Sequence, residues 1–279
     1  MVHTAPRIDA HQHFWDPARG DYVWLTPDLT QLYRTFGPAD LAPHLAAHHL
    51  DASVLVQAAP TLAETRYMLA IADASPAVAG VVGWIDFEQP GQIADLRRFA
   101  SHPKFKGVRP MIQDIADPQW MLRPRLDWAF RALIDLDLTF DALVRPPQLP
   151  HLPDLLARYP TLRVVIDHGA KPDIARRAFG PWAQTMASLA RDTQAFVKLS
   201  GLVTEAGANW SAADLAPYIG HLLATFGPQR MIYGSDWPVC LLAGSYAQWM
   251  AMAEAATAHL PDADRAAIFG GNAVRAYRL

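Results

Sequence analysis

The sequence predicts a single (β/α)8 barrel that spans residues 1–279. Eight short runs rich in β-branched residues alternate with amphipathic segments of helical length. A length of 279 residues is typical of such barrels. A doubly wound open sheet, the main alternative, would carry a glycine-rich phosphate-binding turn after its first strand. At that point this chain reads His-Gln-His-Phe-Trp, which favours the barrel.

The predicted elements follow one another regularly. The expected strands are Arg7–His13, Ala52–Ala59, Val78–Phe87, Lys106–Ile112, Leu138–Val144, Arg163–Gly169, Ala195–Leu202 and Met231–Pro238. The expected helices are Ala39–His49, Leu62–Ser75, Gln92–Ser101, Arg125–Leu136, Leu152–Tyr159, Pro181–Asp192 and Ala212–Phe226. Each interval is about as long as one βα unit requires. The prolines and glycines are scattered between elements, so no linker divides the chain.

The composition excludes several classes of protein. Apolar residues make up 51% of the chain and charged residues 18%, which excludes a disordered chain. A net charge of −3 without a Lys/Arg run argues against nucleic-acid binding. The longest apolar stretch, Ala77–Ile85, is too short to span a bilayer. Cys240 is the only cysteine and no export signal is visible, so the cytoplasm is the expected compartment.

The first predicted strand ends in two histidines. Functional side chains of a barrel collect at the C-terminal ends of its strands, and alternation along a strand points His11 and His13 to the same face. Two converging imidazoles can ligate a divalent ion or polarise a carbonyl group. The alternative is a pair of buried histidines bonded to the backbone.

The sixth predicted strand also ends in a histidine. By alternation, Val164 and Ile166 are expected to fill the barrel, with His168 above them on the same face. Lys171 follows in the next loop. A histidine at a strand end with a lysine close behind it indicates a functional site.

The eighth predicted strand contributes a carboxylate. Ile232, Gly234 and Asp236 share a face, and Gly234 leaves room for another group to approach. A carboxylate that faces the barrel interior needs partners or water, because an unpaired buried charge is costly. The alternative is that Asp236 caps the next helix, which the Trp237-Pro238 sequence makes less favourable.

Further candidates lie near other strand ends. On strand four, Arg109 could hold a carboxylate or hydroxyl group of a ligand, or it could pair with Asp141 on the next strand. Tryptophans near strand ends offer flat faces to a sugar-like ring. The candidate substrate-binding residues are Trp15, Trp24, Trp84, Trp237 and Asp141.

Taken together, these residues resemble a known family. The ordered motifs are His11-x-His13-x-Trp15, Gly107-Val108-Arg109, Asp167-His168 with Lys171-Pro172, and Gly234-Ser235-Asp236-Trp237-Pro238. The set resembles the amidohydrolase superfamily and, within it, the barrel lactonases that act on sugar lactones and related cyclic esters, such as L-fucono- and L-rhamnono-lactonases. The resemblance runs from Arg7 to Asn272-Ala273 and covers nearly the whole chain.

The resemblance implies a role for each residue that matches it. Asp236 would be the general base that takes a proton from water. The residues that would line the site beside it are His11, His13 and His168. Together with Asp236 they would hold one divalent ion, most naturally zinc at His11 and His13, or they would orient the substrate carbonyl without an ion. The segment Thr139–Leu143 lacks the bridging lysine or glutamate of two-metal members, so we expect no second ion.

The resemblance also implies a small-molecule sugar lactone as the partner, with Lys171 or Arg109 assisting at its carbonyl. Neither nucleic acid nor membrane is expected to bind, and no coiled-coil pattern predicts an oligomeric state. Two alternatives stay open. One is a zinc-dependent decarboxylase of the same superfamily, which shares the His-x-His motif and the aspartate of strand eight. The other is a carbohydrate-binding barrel without catalysis.

Overall fold

The computed structural model describes residues 6–279 and contains one eight-stranded parallel sheet. Its strands are β1 (Ile8–Gln12), β2 (Ala52–Val56), β3 (Val78–Gly83), β4 (Phe105–Val108), β5 (Thr139–Ala142), β6 (Val164–Ile166), β7 (Phe196–Leu199) and β8 (Met231–Tyr233). The strands are hydrogen-bonded in sequence order from β1 to β8. The eight predicted strands are therefore confirmed, and each ends earlier than predicted.

The sheet closes into a barrel between β8 and β1. The backbone N–H of His13 donates to the carbonyl of Trp237 over 2.8 Å. Likewise, the N–H of Asp236 donates to the carbonyl of His11 over 2.8 Å. These bonds join the C-terminal ends of the first and last strands, so the predicted histidines and the predicted aspartate lie side by side.

Helices connect the strands along the chain. They are α1 (Pro38–Ala47), α2 (Leu62–Ala74), α3 (Ile93–Ala100), α4 (Asp127–Asp135), α5 (Leu152–Arg158), α6 (Gly180–Asp192), α7 (Leu202–Ala206), α8 (Ala212–Phe226), α9 (Tyr246–Thr257), α10 (Asp262–Ala266) and α11 (Asn272–Tyr277). The seven predicted helices correspond to α1–α6 and α8, and the (β/α)8 barrel is confirmed. Within residues 6–279, no helix is long and apolar enough to cross a membrane.

The hydrophobic core has two parts. The larger part lies between the sheet and the helices and includes Val164 and Ile166. The smaller part contains Val54, Val165 and Ile232, which belong to strands in different parts of the barrel wall, so this cluster lies inside the barrel. Val165 therefore fills the barrel while its two neighbours face the helices. This corrects the prediction that Val164 and Ile166 point inward.

The C-terminal helix α11 covers the end of the barrel where the strands begin. Ala273 and Ala276 belong to the interior cluster, and the hydroxyl of Thr139, the first residue of β5, donates to the carbonyl of Ala276 over 2.7 Å. Because α11 covers this end, a ligand would approach the barrel from the opposite end, where the strands finish.

Candidate active site

A cavity of about 270 Å³ lies at the C-terminal end of the barrel. It is close to the lower end of the range of small-molecule sites, ~300–1,000 Å³. Six of the residues predicted from the sequence line it, namely His13, Arg109, His168, Lys171, Asp236 and Trp24. His11 lies directly beneath them and is fully buried.

The carboxylate of Asp236 is the centre of this cluster. Its Oδ1 atom lies 3.2 Å from Nε2 of His13, 3.7 Å from Nε2 of His11 and 3.8 Å from Nε2 of His168. All four side chains are almost completely buried. One carboxylate oxygen therefore faces three imidazole rings, and Asp236 caps no helix through this atom.

The backbone at the end of β8 fixes the position of Asp236. Asp236 adopts a left-handed conformation with φ 56°, which costs a non-glycine residue about 1–3 kcal/mol and persists only where the surroundings impose it. Here the carboxylate of buried Asp9 accepts the N–H of Ser235 over 2.8 Å. A methyl group at Gly234 would lie 2.6 Å from Cβ of His11, so glycine allows the close approach of β1.

His168 reaches the cavity by a different route from the one predicted. It follows β6 in a left-handed turn with φ 52°, so strand alternation does not determine its direction. Its Nδ1 atom lies 2.8 Å from the hydroxyl of Ser200. A Cβ atom at Gly201 would come within 2.4 Å of that nitrogen, so glycine is required beside the ring.

The hydrogen bonds of His13 leave a lone pair on the nitrogen that faces Asp236. Nδ1 of His13 lies 2.7 Å from the carbonyl of Val56, which can only accept, so this nitrogen carries the proton. Nε2 and Oδ1 of Asp236 then face each other 3.2 Å apart as two acceptors, an arrangement that a cation or a shared proton satisfies. Nitrogen and oxygen donors of this kind suit a divalent ion, and one ligand atom each of His11, His13 and Asp236 lies within 4.8 Å of the others.

The site holds neutral imidazoles beside a charged carboxylate. Burial lowers the pKa of His168 to about 3 and lowers the pKa of His13 below its usual value. Burial alone would raise the pKa of Asp236, but the charge that His168 gains when it is protonated outweighs burial and holds this pKa below its usual range. At neutral pH Asp236 is therefore a carboxylate that can accept a proton.

Arg109 and Lys171 both reach the cavity wall. Nη1 of Arg109 lies 3.3 Å from the carboxylate of Asp167, and Nη2 donates to the carbonyl of Gln57. Its acidic partner is therefore Asp167, which corrects the alternative that it pairs with Asp141. Lys171 forms an ion pair of 2.7 Å with Glu205.

The tryptophans separate into different environments. Trp24 lines the cavity, and its indole N–H donates to the carbonyl of Ala58 over 2.8 Å. Trp15 and Trp237 are buried in the hydrophobic core, which corrects the expectation that they contact substrate. Trp84 lines a neighbouring cavity instead. A tryptophan near a strand end can pack outward as easily as it can face a ligand.

A fully buried lysine beneath the site has no counterpart among the predicted residues. Nζ of Lys198 lies 2.6 Å from Asp141, 2.8 Å from Asp167 and 3.0 Å from Nδ1 of His11. Asp141 is thus part of a buried ionic cluster and does not line the cavity, which corrects its assignment to substrate. The signal was present in the sequence, because a charged residue within the apolar strand Phe196–Leu199 must be paired when it is buried.

Loop residues complete the cavity wall and were not predicted either. The polar ones are Gln113, Asp114 and Arg145, and the apolar ones are Ala58, Met111, Leu143 and Val239. They lie beyond the ends of β2, β4, β5 and β8, where strand alternation does not predict side-chain direction.

Comparison with known proteins places this geometry in a family. The family model described as amidohydrolase matches residues 8–279. An L-fucono-1,5-lactonase of Burkholderia ambifaria is 46% identical over 278 residues, which covers 98% of this chain and 96% of the relative. An L-fucono-1,5-lactonase of Burkholderia multivorans is 38% identical and is covered over 97% of its length.

A solved structure is similar over the same extent. The crystal structure of an amidohydrolase from Burkholderia multivorans with bound zinc superimposes with a TM-score of 0.93 at 37% identity, and the match covers 99% of this chain and all of that one. The likeness extends over the whole barrel and over both motif-bearing ends, β1 and β8. The chain belongs to the amidohydrolase family.

Proposed function

We propose that this chain hydrolyses L-fucono-1,5-lactone, or a close aldonolactone, to the open-chain sugar acid. The observation that carries the proposal is the buried carboxyl group of Asp236 within 4 Å of three imidazole nitrogens, at a cavity of the size of a small molecule. Two relatives that match over nearly their full length are named L-fucono-1,5-lactonase, which supports this substrate class.

The reaction begins with proton transfer to Asp236. The carboxylate takes a proton from water, and the hydroxide attacks the carbonyl carbon of the lactone. The tetrahedral intermediate carries a negative charge on the former carbonyl oxygen, which the guanidinium of Arg109 stabilises as a hydrogen-bond donor. Protonated Asp236 then returns its proton to the ring oxygen as the bond between this oxygen and the carbonyl carbon breaks.

The same donor set suits a divalent ion. His13 and Asp236, with His11 or His168, would hold it, and zinc prefers such nitrogen and oxygen ligands. When bound, the ion would polarise the carbonyl and lower the pKa of water. The steps assigned above to Asp236 and Arg109 need only the side chains of the chain itself.

The walls of the cavity suit a deoxy sugar. Polar groups of Gln113, Arg145 and Lys171 are available to the ring hydroxyls, and the indole of Trp24 is available to an apolar face of the ring. Met111 contributes an apolar contact to the same cavity. A ring with several hydroxyls and few charges matches this mixture.

Acid release from a panel of five- and six-membered sugar lactones tests the proposal. In a pH-indicator assay with chelator-treated enzyme, Asp236→Asn should lower kcat by about 10²–10⁴-fold, with an unchanged circular dichroism spectrum. Asp114→Asn changes another acid on the cavity wall and should affect KM more than kcat.

The outcomes separate the possible reactions. Near-normal turnover of Asp236→Asn would exclude this aspartate as the base. Activity that returns only with added zinc would assign the imidazoles as metal ligands. Release of carbon dioxide from an aromatic acid, with no lactone hydrolysed, would replace the proposal by a decarboxylase.

A further inference from the structure

We propose that Lys198 is a positioning residue that fixes the proton of His11 on Nε2, the nitrogen that faces the carboxylate of Asp236. The proposal rests on the proposed function only for the role of Asp236 as the base. Lys198 lies in the middle of β7, points into the barrel and is completely buried. It does not line the cavity, so its effect on the reaction must pass through His11.

The ammonium group donates two hydrogen bonds, to Asp141 and to His11, and forms an ion pair with Asp167. Nζ lies 2.6 Å from Oδ2 of Asp141 and 2.8 Å from Oδ1 of Asp167. The third partner is Nδ1 of His11 at 3.0 Å. An ammonium group donates and never accepts, so Nδ1 must present a lone pair.

The proton of His11 is therefore on the other nitrogen. Because Nδ1 accepts a hydrogen bond from the ammonium of Lys198, the ring cannot carry a proton on both nitrogens. A neutral imidazole carries one proton, and with Nδ1 occupied as an acceptor this proton lies on Nε2. Nε2 is the atom that faces Asp236, at 3.7 Å.

Arg109 favours the opposite tautomer. Its Nη1 lies 3.2 Å from Nε2 of His11 and would donate to a lone pair on that nitrogen. Arg109 has other acceptors, in the carboxylate of Asp167 and the carbonyl of Gln57. If Nδ1 of His11 carried the proton instead, the buried ammonium of Lys198 would lose this acceptor. An unsatisfied charged donor costs more than the loss of one of several acceptors of Arg109. The lysine therefore determines the tautomer.

The two histidines of the His-x-His motif then have opposite tautomers. His13 donates from Nδ1 to Val56 and offers a lone pair at Nε2. His11 accepts at Nδ1 from Lys198 and offers a proton at Nε2. The ring of His13 thus presents a lone pair to Oδ1 of Asp236, and the ring of His11 presents a proton to the same oxygen.

Nitrogen NMR of the wild-type protein labelled with ¹⁵N-histidine tests the assignment directly. The His11 signals are identified by their loss in His11→Gln, and we expect a protonated Nε2 and an unprotonated Nδ1. A proton on Nδ1 would overturn the proposal, because Arg109 would then determine the tautomer.

Substitution of the lysine tests the cause. In Lys198→Met, Arg109 is the remaining donor, so the proton should shift to Nδ1 in part or entirely. Since Lys198→Met leaves two buried carboxylates without their cation, Lys198→Met/Asp141→Asn is made in parallel. An unchanged His11 spectrum in the folded variant would overturn the proposal.

Tyr277→Phe is the matched control. The hydroxyl of Tyr277 donates to Asp141 over 2.8 Å but does not contact His11, so this variant disturbs the same cluster without removing the contact. We expect kcat to fall about 10²-fold in Lys198→Met, because Nε2 of His11 would then turn a lone pair towards the base Asp236, and to stay close to wild type in Tyr277→Phe. Equal losses in both variants would assign Lys198 a purely structural role. The NMR result does not depend on which lactone is hydrolysed, so it stands even if the proposed function fails.

Discussion

Glu64 is a buried carboxyl group that should make the stability of the protein depend on pH. It lies in α2 behind the cavity wall and is completely buried. Its Oε2 accepts the hydroxyl of Tyr22 over 2.7 Å, and its Oε1 accepts the N–H of Ala58 over 3.1 Å. Ala58 in turn holds the indole of Trp24. The substitution Glu64→Gln keeps the shape of the side chain and removes its charge.

The size of this pH effect on the free energy of unfolding follows from the pKa of Glu64. Burial raises the pKa of Glu64 from 4.5 to about 7, although Tyr22 and Ala58 act against the rise. Between these values the folded protein binds more protons than the unfolded chain, so stability falls as the pH increases. Since one pKa unit corresponds to about 1.36 kcal/mol, the loss between pH 4.5 and pH 8 is about 3 kcal/mol from this group.

Urea denaturation of wild type and Glu64→Gln from pH 5 to pH 8 measures this contribution. The free energy of unfolding of the wild type should decline over this range, and Glu64→Gln should lack most of the part assigned to Glu64. Burial also raises the pKa of Asp9 to about 6, so a smaller decline should persist in the variant. Glu88→Gln is the control, because the pKa of Glu88 is lowered by its hydrogen bond from Trp120 and lies outside the range. Parallel curves for wild type and Glu64→Gln would refute the reasoning.

Two further substitutions test the geometry of the site. Gly234→Ala places a methyl group 2.6 Å from Cβ of His11, so denaturation should show a loss of about 1–3 kcal/mol from overpacking and initial rates should show a lower kcat; a variant as stable as wild type would contradict the close approach. Trp24→Leu removes a flat wall of the cavity without touching the imidazoles, so KM should rise while kcat stays nearly constant. An unchanged KM would show that Trp24 does not contact the substrate.

The general location of the site could be predicted because the barrel determines it. Parallel strands bring their C-terminal ends to one mouth, so residues that follow β1, β4, β6 and β8 meet there even though the chain separates them widely. This reasoning requires only strand order. It therefore succeeded for Asp236 and His13, which line one cavity in the structure.

Side-chain direction was harder to predict because several of these residues lie beyond the regular strands. His168 and Asp236 both have positive φ values, which reverse the direction that alternation implies. His168 still reaches the cavity, but Val164 and Ile166 beneath it face the helices. The residue type of Trp15 did not show whether its ring faces a ligand or the core. In the structure its indole N–H donates to backbone carbonyls of the following loop, and the ring packs in the core.

The chemical difference between His11 and His13 could not be read from their own segment at all. The two residues are only two positions apart in the sequence, yet their Nδ1 atoms have opposite partners. His13 faces a carbonyl of β2, which only accepts, and His11 faces the ammonium of Lys198 in β7, which only donates. The protonation pattern of the motif is therefore set by two distant strands that the barrel brings into contact. A lysine inside an apolar strand is the sequence feature that reports this arrangement, because its charge requires partners across the barrel.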